Sequence, residues 1–534
     1  MKFKNLILAG LALVSMAACS NEDDPQTTQE PQDVKAYMQI SITGAEEHNS
    51  RTDGDATEVG SSGEQKINNL LVLLCDKNTK AVEFKYNVKT WAVDQKKTSS
   101  FLAKTGNYYV YVVANVPDDF ANLGDVITDK KITQTINDNG KVTANDVAVS
   151  NSFWMFNESQ NSEDVNGPEI TITTDNDIAN PATCSPIKLE RLAVKIITGL
   201  KSDGEGYTIN GTIGTFTIND VDNSNTKAVT YNKDAVTLQG IRLVNCINTT
   251  NLQQKWTNNA ASAKQNWIVP LEVNKENVLD GTKIGFYNFF QDYVKVVVEE
   301  KLDKTKEYTT LEDKAYHYFG STFEGMKGEG TEDPKQGFVP MYCLENCPTT
   351  PVVGNTTGVV YQYKLAISNS DNLAGTGCFY KYKDSFFSSL QAIYNSDNNA
   401  FNADGKTGEE AFNAAKVLIG AYVSASTPQE KSKALNNFRK KYLIKVYESG
   451  MMYYDYFIKD TNYTNVEGEN YYGVLRNTVY KLTVTNLKKI GKDLPIEWNP
   501  EVKPDQPIEQ ENVYMNVTVI VNPWIQSNQD IELE

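Results

Sequence analysis

The sequence predicts an all-β protein made of two tandem β-sandwich domains, with a helical insertion in the second. Apolar runs rich in β-branched and aromatic residues, such as residues 66–75 and 108–116, recur between Asn, Asp and Gly turn signals. No long helical pattern separates such runs before about residue 180, which is typical of a sandwich. The 29 tyrosines also favour strands. The two continuous apolar runs are predicted to be central strands.

A change in pattern near residue 186 divides the two predicted domains. Pro181 and Pro186 interrupt the chain, and the alternating run IKLERLAVKII begins at residue 187. We therefore expect an N-terminal sandwich over residues 52–186 and a C-terminal sandwich over residues 187–492. Strand-like runs in the second domain are residues 211–220, 292–300, 359–368, 451–459 and 478–487.

Residues 384–445 have helical spacing instead. Two stretches place apolar residues on one face, and the second stretch starts with a capping box at Thr427–Glu430 that has Pro428 at its first helical position. The predicted core-facing residues are Ala411, Ala415, Leu418, Tyr422, Leu435, Phe438 and Tyr442. We expect the insertion to pack on the sheet; a receptor-contacting surface is the alternative.

The C-terminal end has a proline-rich linker and one further strand. Residues 493–511 contain four prolines, which indicates an extended linker. Residues 512–534 then place five apolar side chains on one strand face: Val513, Met515, Val517, Val519 and Val521. Pro523 is expected to interrupt the ladder, because proline has no N–H to donate.

The C-terminal strand has nearly the same pattern as a strand near the N-terminus. Residues 35–42 are KAYMQISI and residues 512–519 are NVYMNVTV, so that Met38, Ile40 and Ile42 align with Met515, Val517 and Val519. Two strands of one pattern can occupy the same position in a sheet. If the first were removed, the second could replace it from another copy, as in a self-assembling fibre subunit.

Arg51 offers a way to remove the first strand. It is the only arginine in the first 190 residues, and it lies in a Gly-, Ser- and acid-rich run with little apolar content. Such segments are exposed and readily cut. We expect an arginine-specific protease to cleave between Arg51 and Thr52 and to release the propeptide, residues 20–51. An ordinary surface arginine is the alternative.

The N-terminus has the features of a lipoprotein signal. Residues 1–19 combine a basic start, a short apolar run and a lipobox-like site before Cys19, which predicts lipidation of that cysteine. Residues 20–33, which are polar and acidic, are expected to form a flexible tether. The protein is expected at the cell surface, transiently anchored by lipid in the outer membrane. A plain secretory signal is the alternative.

Composition argues against several functions. Asp and Glu outnumber Lys and Arg by 68 to 51, and a net charge of −17 disfavours nucleic acid as a partner. With two histidines, no G-x-S-x-G motif and no phosphate loop, we expect no enzyme, cofactor or metal site, although a carboxylate pair of glycosidase type remains open. Cys75 is predicted to be a core thiol, and Cys343 and Cys347 a local disulfide or two thiols.

Several segments together resemble one family, the fimbrillins that build type V pili, and most closely the Mfa-like branch of the short fimbria. They are YMQISITGAEEHNSRTDGD (37–55), YYVYVVANV (108–116), IKLERLAVKI (187–196), VLRNTVYKLTVTNLKKIG (474–491) and YMNVTVIVNPW (514–524). Arg191, Arg476, Asn477 and Tyr480 lie at motif positions. The similarity is weak over residues 120–180 and in the helical insertion.

The resemblance implies two transthyretin-like sandwiches, lipoprotein export, arginine-specific cleavage and polymerisation by donor-strand exchange, in a shaft that supports adhesion and biofilm formation. It implies as partners other copies of the chain, the protease, anchor and tip subunits, and host or bacterial receptors. The alternatives are a tip or accessory subunit and a non-polymerising glycan-binding lipoprotein. The glycan-binding surface would use Trp91, Trp154, Trp256 and Trp267.

Overall fold

The fold is taken from a computed structural model of the 534-residue chain. It describes residues 34–44, 58–92, 95–117, 120, 126–136, 142–149, 151–159, 166–200, 212–213, 215–222, 225–232, 235–254, 256–257, 266–267, 294–295, 338–348, 351–368, 370–373, 376–426, 428–461, 470–496, 502, 506–508 and 514–525. No helix in these ranges is long and apolar enough to cross a membrane.

A seven-stranded sheet, here called the N-terminal sheet, organises the first part of the chain. Its strands in spatial order are Ile42–Gly44, Ile187–Arg191, Met155–Asn157, Gly106–Ala114, Leu70–Asp76 and Val82–Val88, with Glu169–Ile172 also paired to Gly106–Ala114. Leu70–Asp76 lies between two neighbours and is almost wholly buried, as the continuous apolar run predicts.

Smaller ladders complete this region. The pairs are Val34–Met38 with Phe101–Lys104, Thr135–Ile136 with Val142–Ala144, and Ala148–Val149 with Ser152–Phe153. Lys131–Thr133 pairs with Thr249–Asn251, which ties this region to the following one. Residues 34–44, here called the leading strand, come first in the described part of the chain. They comprise the short strands Val34–Met38 and Ile42–Gly44.

A six-stranded sheet, here called the C-terminal sheet, contains the end of the chain. Its order is Phe338–Leu344, Ala193–Leu200, Thr478–Leu487, Met515–Ile525 and Glu58–Val59, with Thr212–Ile213 also paired to Thr478–Leu487. A four-stranded sheet has the order Val294–Lys295, Val236–Val244, Gly358–Leu365 and Met451–Phe457. Trp256–Thr257 and Asn266–Trp267 form a separate short ladder.

The helical insertion has its own sheet and core. Helices Leu390–Ser396, Gly408–Ser424 and Pro428–Tyr442 pack beside the strands Asn225–Tyr231, Phe216–Asp222, Ser385–Phe387, Thr376–Tyr382, Asp371–Leu373 and Ile444–Tyr447. All predicted core-facing helical residues are buried except Leu418, which is partly buried. The short helices elsewhere are Ser62–Gln65, Ile127–Asp129, Glu448–Gly450 and Asn470–Tyr472. The predicted all-β class with a helical insertion is confirmed.

The chain passes from the N-terminal to the C-terminal sheet at Leu192, rather than at residue 187. Strand Ile187–Arg191 pairs with Met155–Asn157 and Ile42–Gly44 in the N-terminal sheet. The following strand, Ala193–Leu200, pairs in the C-terminal sheet. The alternating run that the sequence assigns to one domain is therefore divided between two sheets.

None of the six cysteines after Cys19 forms a disulfide. Cys75 is buried in the core, as predicted. Burial raises the pKa of its thiol to about 12, so the thiol stays neutral. Cys343 and Cys347 are buried and do not form the local disulfide that their spacing allowed.

Candidate functional site

The leading strand lies in a slot between two segments of the same chain. On one side Val34–Met38 runs antiparallel to Phe101–Lys104. On the other side Ile42–Gly44 runs parallel to Ile187–Arg191, with Ile42 opposite Ile187. A strand with neighbours on both sides completes the sheets around it, so its loss would leave two open edges.

Hydrogen bonds hold the middle of the leading strand on both sides as well. The Thr98 N–H donates to the Ile40 carbonyl at 2.9 Å, and the Ile40 N–H donates to Thr98 Oγ1 at 3.1 Å. Across the slot, the Gln39 N–H donates to the Ala182 carbonyl at 2.9 Å and the Ile187 N–H to the Ser41 carbonyl at 2.9 Å. The backbone of the strand is thus paired through its whole length.

The apolar face of the leading strand is part of the core. Met38 and Ile40 are 0% exposed and Ile42 is 6% exposed. Full burial of such side chains is worth about 1.5–3 kcal/mol each. These three residues therefore fill an apolar groove, here called the acceptor groove, as the alternation in the sequence predicts.

The C-terminal strand, Met515–Ile525, lies in the sheet of its own chain. It runs antiparallel to Thr478–Leu487, with Met515 opposite Leu487, Val519 opposite Leu482 and Val521 opposite Tyr480. Met515 and Val521 are buried, whereas Val517 and Val519 are only partly buried against the core. In both the leading strand and the C-terminal strand, the aligned apolar side chains pack against the core. The two strands therefore share one pattern of alternating apolar and polar residues.

The prediction that Pro523 interrupts this ladder is wrong. The pairing continues through Pro523, which lies opposite Thr478, to Ile525. The Trp524 N–H donates to the Asn477 carbonyl at 3.0 Å. Since N–H groups alternate in direction along an antiparallel strand, the nitrogen of Pro523 points away from Thr478–Leu487, and no bond to that strand is lost.

The linker before the C-terminal strand also contacts its own subunit where it is described. Ile496 is buried in a cluster with Val353 and Phe457, and Val502 and Ile508 pack against the same cluster. The Val353 N–H donates to the Gln506 carbonyl at 3.0 Å. Donation of the C-terminal strand to another copy therefore requires the strand, and part of the linker, to leave these positions.

The end of the C-terminal strand is fixed by an aromatic cluster at the junction of the two sheets. Trp524 is fully buried, stacks on Tyr342 at 5.9 Å between ring centroids, and meets Phe153 edge-on at 5.5 Å. The guanidinium carbon of Arg191 lies 4.4 Å from the centroid of the Trp524 ring. Arg191 Nη1 also donates to the Trp524 carbonyl at 2.9 Å. One arginine thus contacts both the ring and the backbone of this tryptophan.

Residues 58–65, here called the latch, cover the same junction. Glu58–Val59 runs parallel to the end of the C-terminal strand, with Glu58 opposite Trp524. Arg191 Nε donates to the Glu64 carbonyl at 2.9 Å. Burial lowers the pKa of Arg191 to about 10, although the charge of Glu64 opposes this effect, so the guanidinium stays positive at neutral pH.

The Glu64 carboxylate is itself buried. Lys195 Nζ lies 3.1 Å from Glu64 Oε1, the Ser61 N–H donates to Glu64 Oε2 at 2.7 Å, and the Tyr342 hydroxyl donates to the same carboxylate. Burial alone would raise the pKa of Glu64, but Lys195 and these donors hold it below its usual value. A buried charge with so many partners is well satisfied.

The motif arginine at 476 has a structural role. Arg476 is fully buried, its Nε lies 3.5 Å from Glu345 Oε1, and its Nη2 donates to the Asn251 carbonyl at 2.6 Å. Tyr480 donates to Asp460 Oδ2 at 2.9 Å, and burial raises its pKa well above the usual value. Arg476 and Tyr480 therefore hold together backbone segments that are distant in the sequence.

The other site residues named from the sequence have mixed outcomes. Cys19, Arg51, Thr52 and Val513 lie outside the described residues. Trp91 and Trp154 are buried, so neither supplies a surface for stacking on a sugar. Sequence reasoning missed the junction of Trp524, Arg191 and Glu64, since only the family motif drew attention to Arg191 and no local pattern brings the three together.

Two family models match the chain. The model described as "Major fimbrial subunit protein (FimA)" matches residues 36–191. The model described as "Major fimbrial subunit protein type IV, Fimbrillin, C-terminal" matches residues 445–530. The first match covers residues 36–44 of the leading strand and both strands beside it, and the second covers the C-terminal strand.

The chain also aligns with solved structures at low identity. One is a fimbrilin (FimA) from Porphyromonas gingivalis W83, at 15% identity and a TM-score of 0.36, covering 93% of this chain and 99% of the other. Another is the tip fimbrial protein Mfa3 from Porphyromonas gingivalis, at 10% identity and a TM-score of 0.35, covering 92% and 99%. No curated protein matches the chain. The similarity to fimbrial subunits therefore rests on the two family models.

Proposed function

We propose that the chain is a fimbrillin, the shaft subunit of a cell-surface fimbria that grows by donor-strand exchange, because both family models that match it describe major fimbrial subunits. The observation that carries the proposal is the matched pair of strands. The leading strand fills an apolar groove between two sheet edges, and the C-terminal strand presents the same alternation. A subunit with both a groove and a donor strand can accept and donate.

In this proposal the subunit is exported as a lipoprotein through Cys19 and is anchored transiently in the outer membrane. An arginine-specific protease then cuts between Arg51 and Thr52. The propeptide leaves with Met38, Ile40 and Ile42, and the acceptor groove opens. Before cleavage the leading strand occupies the groove, which prevents early assembly.

The C-terminal strand of another copy then fills the groove by β-augmentation. Met515, Val517, Val519 and Val521 would contribute roughly 6–12 kcal/mol gross at about 1.5–3 kcal/mol for each buried side chain. Val513 would extend this face by one further residue. Backbone hydrogen bonds would replace those that the leading strand makes to Thr98 and Ala182.

Exchange must compete with the position that the C-terminal strand already has. The backbone hydrogen bonds to Thr478–Leu487 would be lost, and new ones would form in the acceptor groove. The contributions of the two sets of hydrogen bonds therefore largely cancel. Side-chain burial favours the acceptor groove. Ile40 and Ile42 are buried there, whereas the aligned Val517 and Val519 are only half-buried in the sheet of their own chain. Removal of Trp524 from its cluster opposes exchange.

The contact is head-to-tail, so it does not close on itself and generates a filament. The partners are therefore other copies of the chain, followed by anchor and tip subunits at the filament ends and surface receptors that the fimbria meets. A tip subunit would not need a free donor strand, which favours the shaft role. The glycan-binding alternative is disfavoured by the burial of Trp91 and Trp154.

Processing at Arg51 provides the experimental test. Residues 20–534 would be purified with Arg51 intact and as the variant Arg51→Ala, and both would be treated with an arginine-specific protease. Electron microscopy and SDS-resistant ladders report polymer. We expect fibres from the intact sequence and a monomer from Arg51→Ala. Fibres from the variant would show that removal of the leading strand is not required.

A further inference from the structure

One strand connects the acceptor groove to the hold on the C-terminal strand. Ile187–Arg191 pairs through Ile187, Lys188 and Leu189 with the leading strand, and both Ile187 and Leu189 are buried. Two residues further on, Arg191 contacts the ring and the carbonyl of Trp524. The groove and the anchor of the donor strand therefore lie at the two ends of one short element.

The latch closes this arrangement tightly at Gly60. A Cβ atom at Gly60 would lie 2.8 Å from Arg191 Nη2 and 2.9 Å from Trp524 Nε1, closer than real Cβ contacts allow. The Gln65 side chain donates to the Gly60 carbonyl across the same turn. The backbone of the latch therefore packs directly on the arginine and tryptophan, and any larger residue would displace them.

We propose that strand Ile187–Arg191 couples occupancy of the acceptor groove to the hold on the C-terminal strand of the same subunit. Removal of the leading strand loosens the contact between Arg191 and Trp524 and so prepares the C-terminal strand for donation. This coupling rests on the proposed strand exchange. It makes a processed subunit both an acceptor and a readier donor.

The physical reason is the loss of one of two neighbours. With the leading strand present, Ile187–Arg191 is held by Met155–Asn157 on one edge and by Ile42–Gly44 on the other. After its removal, one edge is open and the hydrogen bond from the Ile187 N–H to the Ser41 carbonyl is gone. The strand that positions the Arg191 guanidinium is then held on one side only, and strands at an open edge open more often.

Hydrogen exchange measures this coupling in the monomer. Exchange at residues 515–525 would be followed in the uncleaved protein, in the processed protein diluted until it is monomeric, and in the processed protein with a synthetic peptide of residues 34–44. We expect exchange there to rise about tenfold on processing and to return towards the original rate when the peptide refills the groove.

The substitutions Gly60→Ala and Gly420→Ala supply a matched pair. Gly60→Ala should raise exchange at residues 515–525 several-fold before any cleavage, since its Cβ would press on Arg191 and Trp524. Gly420→Ala should leave it unchanged, because nothing lies within 4 Å of a Cβ at that helical position. Circular dichroism would establish that both variants are folded.

The outcomes separate the coupling from the function on which it rests. If the peptide binds the processed protein but exchange at residues 515–525 does not change on processing, the coupling is wrong and strand exchange stands. If the peptide does not bind, the acceptor groove itself is wrong and both proposals fall. If folded Gly60→Ala exchanges like Gly420→Ala, the latch does not hold the strand.

Discussion

At the scale of residues, the junction depends on a few buried polar groups. Glu64 is held by Lys195 and by the Tyr342 hydroxyl, and Arg191 spans from the Glu64 carbonyl to Trp524. An unpaired buried charge is far more costly than an unpaired surface charge, so removal of one partner affects the other. These residues come from distant parts of the sequence, and this is why no local pattern predicted the junction.

Replacement of Glu64 tests this junction. Glu64→Gln should lower the free energy of unfolding by about 3–5 kcal/mol, because the buried ammonium of Lys195 would lose the opposite charge of Glu64. Urea unfolding measures the change. Glu410→Gln is the matched control, since the Glu410 pair with Lys406 is exposed and such pairs contribute about 0–1 kcal/mol. Equal effects from the two variants would contradict the account of the junction.

The same carboxylate predicts a dependence on pH. The folded pKa of Glu64 is lowered, so the folded state binds fewer protons than the unfolded state near pH 4. Its contribution to stability is complete above the unfolded pKa of about 4.3 and is lost as pH falls through the folded pKa. Below pH 4, wild type should therefore lose stability more steeply than Glu64→Gln.

Asp146 predicts a dependence of the opposite sign. Burial raises its pKa to about 7, although the Ala148 N–H donates to the carboxylate and opposes this. Between the unfolded pKa of about 3.9 and pH 7 the folded state binds more protons, so stability falls as pH rises. Asp146→Asn should remove this fall, and the stability of wild type and variant should diverge most above pH 7. Thermal unfolding between pH 4 and 8 would show parallel curves if the carboxyl is not buried.

At the scale of elements, the leading strand is a buried part of the core that we propose is removed by cleavage. Met38→Asp should lower the stability of the uncleaved protein by more than about 3 kcal/mol, because a charge would be buried at a fully covered position. The exposed Thr43→Asp should have little effect. After processing and removal of the propeptide, both variants should match wild type in urea unfolding. A defect that persists in processed Met38→Asp would place residue 38 outside the removed segment.

The helical insertion is a separate packing unit. Phe412 is buried in the insertion core, stacked on Tyr394 at 4.5 Å, whereas Val417 on the same helix is 77% exposed. Phe412→Ala should cost about 3–5 kcal/mol, and Val417→Ser should stay within about 0.5 kcal/mol. Both variants should polymerise after processing, because neither residue touches the leading or the C-terminal strand. Loss of fibres in folded Val417→Ser would instead assign a role in assembly to the insertion.

The elements that sequence could predict are those whose pattern is local. The alternation of Met38, Ile40 and Ile42 gave the correct buried face, and the helix at Pro428–Tyr442 begins at the predicted proline. Pairing partners depend on residues far apart in sequence, so the position of the C-terminal strand in its own sheet was not predicted. The predicted interruption at Pro523 is wrong for the same reason, because the direction of the Pro523 nitrogen depends on that pairing.

At the scale of the whole molecule, the proposed acceptor groove and the proposed donor strand are both paired within the same chain. The leading strand fills the acceptor groove, and the C-terminal strand completes the C-terminal sheet. Polymerisation by exchange then requires two separate releases, of the leading strand by cleavage and of the C-terminal strand by opening of its ladder. Deletion of the C-terminal strand would also remove a strand of the subunit's own sheet. A reversible disulfide that holds this strand in place therefore tests strand exchange without that damage.

The most direct measurement follows polymerisation of a subunit whose C-terminal strand can be held in its own sheet by a disulfide. Thr483 and Thr518 are directly opposite each other, and such residues have Cα atoms about 5.5 Å apart, which suits a disulfide. The double variant Thr483→Cys/Thr518→Cys, in residues 20–534, would be processed at Arg51 in oxidised and reduced form, beside Thr518→Cys alone. We predict monomers when it is oxidised, and fibres with SDS-resistant ladders once reductant is added. Fibres from the oxidised double variant, as abundant as those from the single variant, would contradict strand exchange.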